Sequence, residues 1–268
     1  MRILHILDHS IPLHSGYTFR TAAILREQRA RGWETFHLTS PKHGLNVKGV
    51  IPAEEDVGGL HFHRTPVPAS PYGVLGQWRQ MRATEARLLE LAQQLRPDVL
   101  HAHSPVLNAV PAIRVGKRLG IPVVYEVRAF WEDAAVDHGT THEGSLRYRA
   151  TRALETWALR RVAHVFTICE GLRRDIVARG IPAERVTVIP NAVDIEGFQL
   201  SGEADPVLRQ QLGLDGCTVI GFVGSFYAYE GLDVLLASFA ELAPQRPDLR
   251  VLLVGGGPQE AALQAQAQ

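Results

Sequence analysis

Short apolar runs alternate with helix-periodic stretches along most of the chain, and this alternation restricts the fold more than any single motif. Strands are expected at 2–7, 34–39, 60–65, 99–103, 123–127, 164–169 and 185–189. Helical periodicity fills 17–31, 74–95, 144–163 and 171–179; Gly32 follows the first helix and Pro97 stops the second. Such alternation predicts an α/β domain, a doubly wound parallel sheet covered on both faces. A polar, glycine-broken stretch over 194–216 then leads into a second series. Residues 218–230 read as a strand running into a glycine turn, 231–242 as a helix, and 250–258 as one more strand and turn. A doubly wound half holds about five or six strands, and only two are legible there. The expected layout is a complete Rossmann-like domain over 1–195, a connection over 196–216, and the start of a second Rossmann-like domain over 217–268. That layout reads as the front of a two-domain protein with its active cleft between the halves.

Composition narrows the classes. The chain has 28 basic and 28 acidic residues, so no net charge supports bulk nucleic-acid binding, and no nucleic-acid partner is expected. Cys169 and Cys217 lie in or beside apolar runs and are expected as reduced, buried thiols of a cytosolic protein. The opening MRILHILDHS reads as a first strand rather than a signal peptide. No apolar stretch approaches the ~20 residues that span a bilayer.

In an open parallel sheet, ligands bind beyond the carboxyl ends of the strands. After the first strand, the loop from Asp8 through Ser15 and Gly16 feeds a helix N-terminus, whose amides and dipole suit an anion such as phosphate. It lacks the GxGxxG fingerprint, and an ordinary turn capped by Ser15 is the competing reading. His101 and His103 form an H-x-H pair, as do His61 and His63. Each pair shares a strand face, but no third ligand stands at metal-like spacing, so hydrogen-bonded strand roles are expected and metal is not. The densest polar and aromatic cluster is Glu126, Arg128, Trp131, Glu132 and Asp133. Arg128 can clamp a phosphate or carboxylate through its fork. The carboxylates can hold sugar hydroxyls or act as acid or base; a salt-bridged loop over a packed Trp131 is the alternative. Arg149, Arg152 and Arg160 form a basic stripe, either a solvated face or a contact for anionic lipid. Asn191 and Asp194 close the last strand, as turn formers or as a hinge facing the cleft.

Taken in order, DHSIPLHSGYTFR, DVLHAHSP, VVYEVRAFWED, VIPNAVD, GFVGSFYAYEGLDVLLASF and VLLVGGGP resemble the family-4 glycosyltransferases of GT-B fold, over nearly the whole chain. The YEVRAFWED and GSFYAYEGLD wording resembles the subgroup that accompanies exopolysaccharide loci with exosortase-type sorting. The resemblance implies a retaining enzyme, needing no metal or other cofactor, that moves a sugar from a nucleotide-sugar to a bacterial glycan or lipid-linked acceptor. It implies a cytoplasmic place, with contact to the inner membrane face left open. Ser15 and Gly16 would approach the donor diphosphate from one side, Gly224 and Ser225 from the other. Arg128 and Glu126 would be catalytic, while His103, Trp131, Glu132, Asp133, Asn191 and Asp194 would line the acceptor side. Three departures qualify this. Ser225 and Glu230 stand where the family usually has Arg and Lys, Arg128 stands where many relatives have His, and the donor-binding E-x7-E segment is absent. As a fragment the chain is therefore expected to be inactive. A non-catalytic sugar- or nucleotide-binding protein, or a GT-B-like sugar-nucleotide epimerase, remains the alternative.

Overall fold

The computed structural model describes the chain except for residues 46, 48, 69–72, 138, 197–203 and 268. Parts of the expected connection, and His138 of the polar loop before the third expected helix, lie outside the described residues. The chain divides into two compact units, Met1–Ala192 and Val193–Gln268.

The first unit runs β1 (Arg2–Leu7), α1 (Gly16–Ala30), β2 (Glu34–Thr39), β3 (Glu54–Val57), β4 (Leu60–His63), α2 (Gly73–Leu95), β5 (Val99–His103), α3 (Val106–Leu119), β6 (Val123–Val127), α4 (Trp131–Asp137), α5 (Leu146–Leu159), β7 (His164–Thr167), α6 (Glu170–Ala178) and β8 (Val186–Val188). Its eight-stranded sheet has the order β3-β4-β2-β1-β5-β6-β7-β8. Every pairing is parallel except β3 with β4. Strand order reverses between β1 and β5, which opens a crevice at their carboxyl ends.

The two sheet faces differ in chemistry. On one, Leu4, Ile6, Leu100 and Ala102 pack with Leu88, Leu91, Ala109 and Val110 of α2 and α3 in the main core. On the other, Leu7, Leu60 and Phe62 pack with Ala22 and Leu25 of α1, beside a layer of imidazoles. His5 sits in register with His37 of β2 and His101 of β5.

The structure departs from the sequence reading in several places. The helix α3 and the hairpin strand β3 were not read from the sequence. In VLNAVPAIRVGKRL the exposed charges Arg114, Lys117 and Arg118 come late, and Pro111 within the run argues against a helix. The GG pair of the hairpin takes two positive φ angles, +58° at Gly58 and +77° at Gly59, which is the tight turn that glycine pairs favour. Trp78, on α2, is exposed. Cys169 is exposed rather than buried because it precedes α6 at its N-cap, and Cys217 is half-buried ahead of the second unit's first strand.

The second unit holds α7 (Pro206–Gln211), β9 (Thr218–Ser225), α8 (Leu232–Leu242), β10 (Leu249–Gly256) and α9 (Glu260–Gln266), with β9 and β10 parallel. Phe226, Leu232 and Leu263 form its buried cluster. The GGGP glycines serve the backbone: a Cβ on Gly255 would stand 1.8 Å from the Gly224 carbonyl oxygen, and one on Gly257 2.9 Å from the Phe226 nitrogen.

Beneath α4 and α5 the first unit buries a second polar set. Arg179 Nη1 lies 2.7 Å from Glu132 Oε1, with both side chains almost fully enclosed. The Arg179 guanidinium rests on the Phe130 ring, 3.6 Å from its centroid. Burial pushes the Glu155 carboxyl up to about 8; the Tyr125 hydroxyl and Arg179 oppose this and Glu132 adds to it. Tryptophan occurs only at 33, 78, 131 and 157, so its emission reports the first unit alone. Followed by that emission in urea, Arg179→Met should destabilise by about 3–5 kcal/mol, because it leaves Glu132 buried without its counter-charge. A change within about 0.5 kcal/mol would contradict the pairing. A raised native pKa makes the Glu155 contribution complete below about 4.3, the unfolded value, and lost as pH rises through about 8. Glu155→Gln should flatten the fall in stability between those limits; an unchanged pH profile would contradict it.

Candidate active site

The loop after β1 is built on a buried carboxylate. Asp8 Oδ2 lies 3.1 Å from Lys42 Nζ and 3.1 Å from His9 Nδ1. His9 Nε2 is 2.9 Å from Ser15 Oγ. Ser15 caps α1, its Oγ accepting from the Thr18 amide at 3.2 Å. Arg64, fully buried at the end of the hairpin, fixes the same loop by donating to Ser10 Oγ and to the Ile11 carbonyl at 3.0 Å, while pairing with Glu55 at 2.7 Å. Gly16 opens the helix, and a Cβ built there meets no atom within 4 Å. The first amides of a helix have no intrahelical acceptor; here Ser15 takes that of Thr18.

Glu126, near the carboxyl end of β6, is the node of the site. Its Oε1 accepts from Arg20 Nε at 2.8 Å and from Arg128 Nε at 2.9 Å. Arg20 comes from α1 and also donates to the Ile189 and Pro190 carbonyls and to Asn191 Oδ1, at 2.7, 2.9 and 3.1 Å. One carboxylate therefore ties α1 to β6 and to the chain leaving β8. Burial alone would raise the Glu126 carboxyl; the His101 hydrogen bond, His103 and the Arg128 guanidinium hold it well below the usual carboxylate range. It stays ionised, at 2% exposure, and is a counter-ion rather than a proton donor.

Arg128 is nearly consumed by the protein. Beyond Glu126, its Nη1 donates to the Tyr17 carbonyl at 2.8 Å, and its Nη2 to Thr21 Oγ1 at 3.1 Å and His103 Nδ1 at 2.8 Å. A guanidinium carries five N–H groups, so one Nη1–H remains for a ligand. The guanidinium also lies 4.3 Å from the Tyr17 ring centroid. The expected bidentate clamp is thus a correction: the fork is used internally, and what faces outward is fixed positive charge.

The donors set a chain of tautomers. Because Arg128 donates to His103 Nδ1, His103 Nε2 carries hydrogen and donates to His5 Nδ1 at 3.0 Å. His5 Nε2–H then donates to Gln28 Oε1 at 2.9 Å. Burial, with His101 nearby, holds both imidazoles well below their ordinary pKa. This relay uses the third histidine, His5, that spacing along the chain did not reveal.

The remaining expected residues fall in different places. Trp131 is exposed, with Lys42 Nζ 4.7 Å from its ring centroid. Asp133 is exposed and accepts from the Tyr148 hydroxyl at 2.8 Å. Glu132 is turned inward to Arg179 and does not face solvent, so its carboxylate is removed from the sugar-facing set. Asn191 holds Arg20, and Asp194, in the second unit, accepts from the Glu196 amide at 3.1 Å. Gly224 and Ser225 end β9, and Glu230 lies exposed in the turn that precedes α8. Arg20 and Lys42 were missed. Both are lone cations in segments read for other features, and only the fold brings them to the crevice.

Comparison with known proteins places this geometry. The family model described as "Glycosyl transferase 4-like domain" matches residues 15–192, and "Glycosyl transferases group 1" matches 205–268. The 2-deoxystreptamine glucosyltransferase of Streptomyces kanamyceticus is 30% identical over 217 residues, covering 77% of this chain and 55% of the relative. The D-inositol 3-phosphate glycosyltransferase of Segniliparus rotundus is 29% identical over 216 residues, covering 76% and 46%. The chain thus spans about half the length of the curated relatives it matches. Among solved structures, Anabaena HepE in complex with UDP superposes with a TM-score of 0.67 at 20% identity, over 99% of this chain and 65% of that one. This is the GT-B fold.

The relay predicts that 15N spectra show His5 and His103 as neutral Nε2–H tautomers at pH 6.5, where a free imidazole is about half charged. A charged ring at either position at that pH would contradict the arrangement.

Proposed function

The chain belongs to the glycosyl transferase 4-like family, and from that premise we propose that it forms the acceptor side, and begins the donor side, of a retaining nucleotide-sugar glycosyltransferase. The observation that carries this reading is the convergence, at the crevice beside β1 and β5, of an unobstructed helix N-terminus at Gly16 with the buried Arg20–Glu126–Arg128 set. A donor diphosphate is the ligand that such a helix end and fixed cation suit. The UDP bound by HepE supports a nucleoside diphosphate as the recognised group.

In the reaction, the anomeric carbon–oxygen bond to the diphosphate breaks through an oxocarbenium-like transition state. The acceptor hydroxyl oxygen bonds to the same carbon, and its proton passes to the departing phosphate oxygen. Arg128 opposes the charge that develops on the diphosphate. Glu126 holds Arg128 and Arg20 and takes no proton, so its role is positioning rather than the catalytic one expected from sequence. Ser15 orders the loop, and Gly16 leaves room for the phosphate. Gly224 and Ser225, at the end of β9, are the residues of the second unit assigned to the diphosphate. Trp131, Asp133 and Asn191, with His103 behind Arg128, are assigned to the acceptor side. Arg149, Arg152, Arg160 and Arg161 line a groove of about 640 Å³ with Trp157, which supports a lipid-linked or membrane-held acceptor. No helix among the described residues is long and apolar enough to cross a membrane.

The Gly16 position gives a clean test. A Cβ there meets no atom within 4 Å, so Gly16→Ala and Gly16→Val should leave the tryptophan-detected unfolding midpoint unchanged. In the longest natural chain containing these residues, the donor KM should rise progressively, about tenfold or more for Val. Unchanged donor KM in both variants would overturn the assignment of this loop to the diphosphate.

A further inference from the structure

The β3–β4 hairpin carries a second set of converging ligand groups, away from the crevice. Its two-residue turn at Gly58-Gly59 sets the register, so Glu54 pairs with His63 and Asp56 with His61. Alternate residues of a strand share a face, and the two carboxylates and two imidazoles are therefore brought together.

The atoms are arranged as a coordination shell would require. His63 Nδ1 is 3.3 Å from Glu54 Oε1, and His61 Nε2 is 3.8 Å from Glu54 Oε2. Zinc–ligand bonds of about 2.0–2.1 Å at a tetrahedral angle separate neighbouring ligand atoms by about 3.3 Å. His63 is 8% exposed, and its Nδ1 has no hydrogen-bond partner among the described residues. His61 Nδ1 lies 2.9 Å from Asp56 Oδ1. That contact places hydrogen on Nδ1 and leaves the Nε2 lone pair facing Glu54, the outer carboxylate–histidine pairing common in metal sites. Arg87 Nη2 stands 3.8 Å from Glu54 Oε1, but its guanidinium is paired with Glu90 at 2.9 Å.

We propose that Glu54, His61 and His63 bind one divalent transition-metal ion, with Asp56 orienting His61. Two imidazoles select zinc and its neighbours over magnesium or calcium. The ion would fasten the edge of the sheet and take no part in sugar transfer. From β4 to β6 there are four interstrand steps, about 19 Å at 4.7–4.9 Å each. The site is therefore independent of the proposed activity.

The test is equilibrium dialysis against Zn2+ alone, repeated with Co2+ to read ligand-field absorption. Glu54, Asp56 and His61 are all substantially exposed, so their variants leave the core untouched; circular dichroism checks this. One ion per chain is expected in the wild type, with absorption free of a thiolate charge-transfer band. His61→Ala and Glu54→Gln should weaken binding at least tenfold, and Asp56→Asn by about 10–100-fold. No bound ion in the wild type, or undiminished binding in both His61→Ala and Glu54→Gln, would overturn the proposal.

Discussion

The ion set around Glu126 is the interaction on which the rest of the first unit depends. A carboxylate at 2% exposure carries a large desolvation cost unless it is paired. Here two guanidiniums, one from α1 and one from the end of β6, meet a single oxygen. Neither arginine could be buried without that charge, and Glu126 could not ionise without them. Once the three are together, α1 can take only one register over the sheet. That register sets Gln28 against His5, Thr21 against Arg128, and the open N-terminal turn above the crevice. The layer between α1 and the sheet is polar for this reason, and nearly every group in the relay has a named partner.

The same constraint shapes what the site can do. Arg128 cannot fold around a phosphate, because the protein holds all but one of its N–H groups. In the proposed reaction its contribution would be a charge that needs no reorganisation when a ligand arrives, the form of stabilisation that acts most strongly in an enclosed site. His103 and His5, neutral and hydrogen-bonded in series, transmit no charge of their own and fix the far side of the guanidinium. In the second unit, Ser225 ends β9 and Glu230 lies exposed ahead of α8.

Much of the architecture was legible in the residues. β1, β2, β5 and β6 fall on the runs read from the sequence, because buried parallel strands are continuous apolar stretches bounded by turn residues. The α3 helix was not, since Pro111 interrupts VLNAVPAIRVGKRL and its exposed charges, Arg114, Lys117 and Arg118, come only near its end. The β3 strand is short, acidic and at an edge; only the glycine pair that follows it signalled a hairpin. At the site, residue types beside strand ends pointed to the Gly16 loop and the Glu126–Arg128 cluster, which the fold sets at the carboxyl ends of β1 and β6. They gave no sense of direction. Glu132 and Asp133 are adjacent in sequence, yet one faces Arg179 in the interior and the other faces solvent. His5, Arg20 and Lys42 could be found only through tertiary pairing, 23 to 171 residues from their partners.

The most direct measurement is donor turnover in Arg128→Lys and Arg128→Met, in the longest natural chain containing these residues. If Arg128 acts as a fixed charge held by Glu126, lysine should retain activity to within about tenfold, while methionine should lose about 10²–10³ in kcat. Wild-type turnover in Arg128→Met would contradict the role assigned to that charge. Equal losses in both variants would contradict the claim that charge, rather than the guanidinium fork, is what the donor meets.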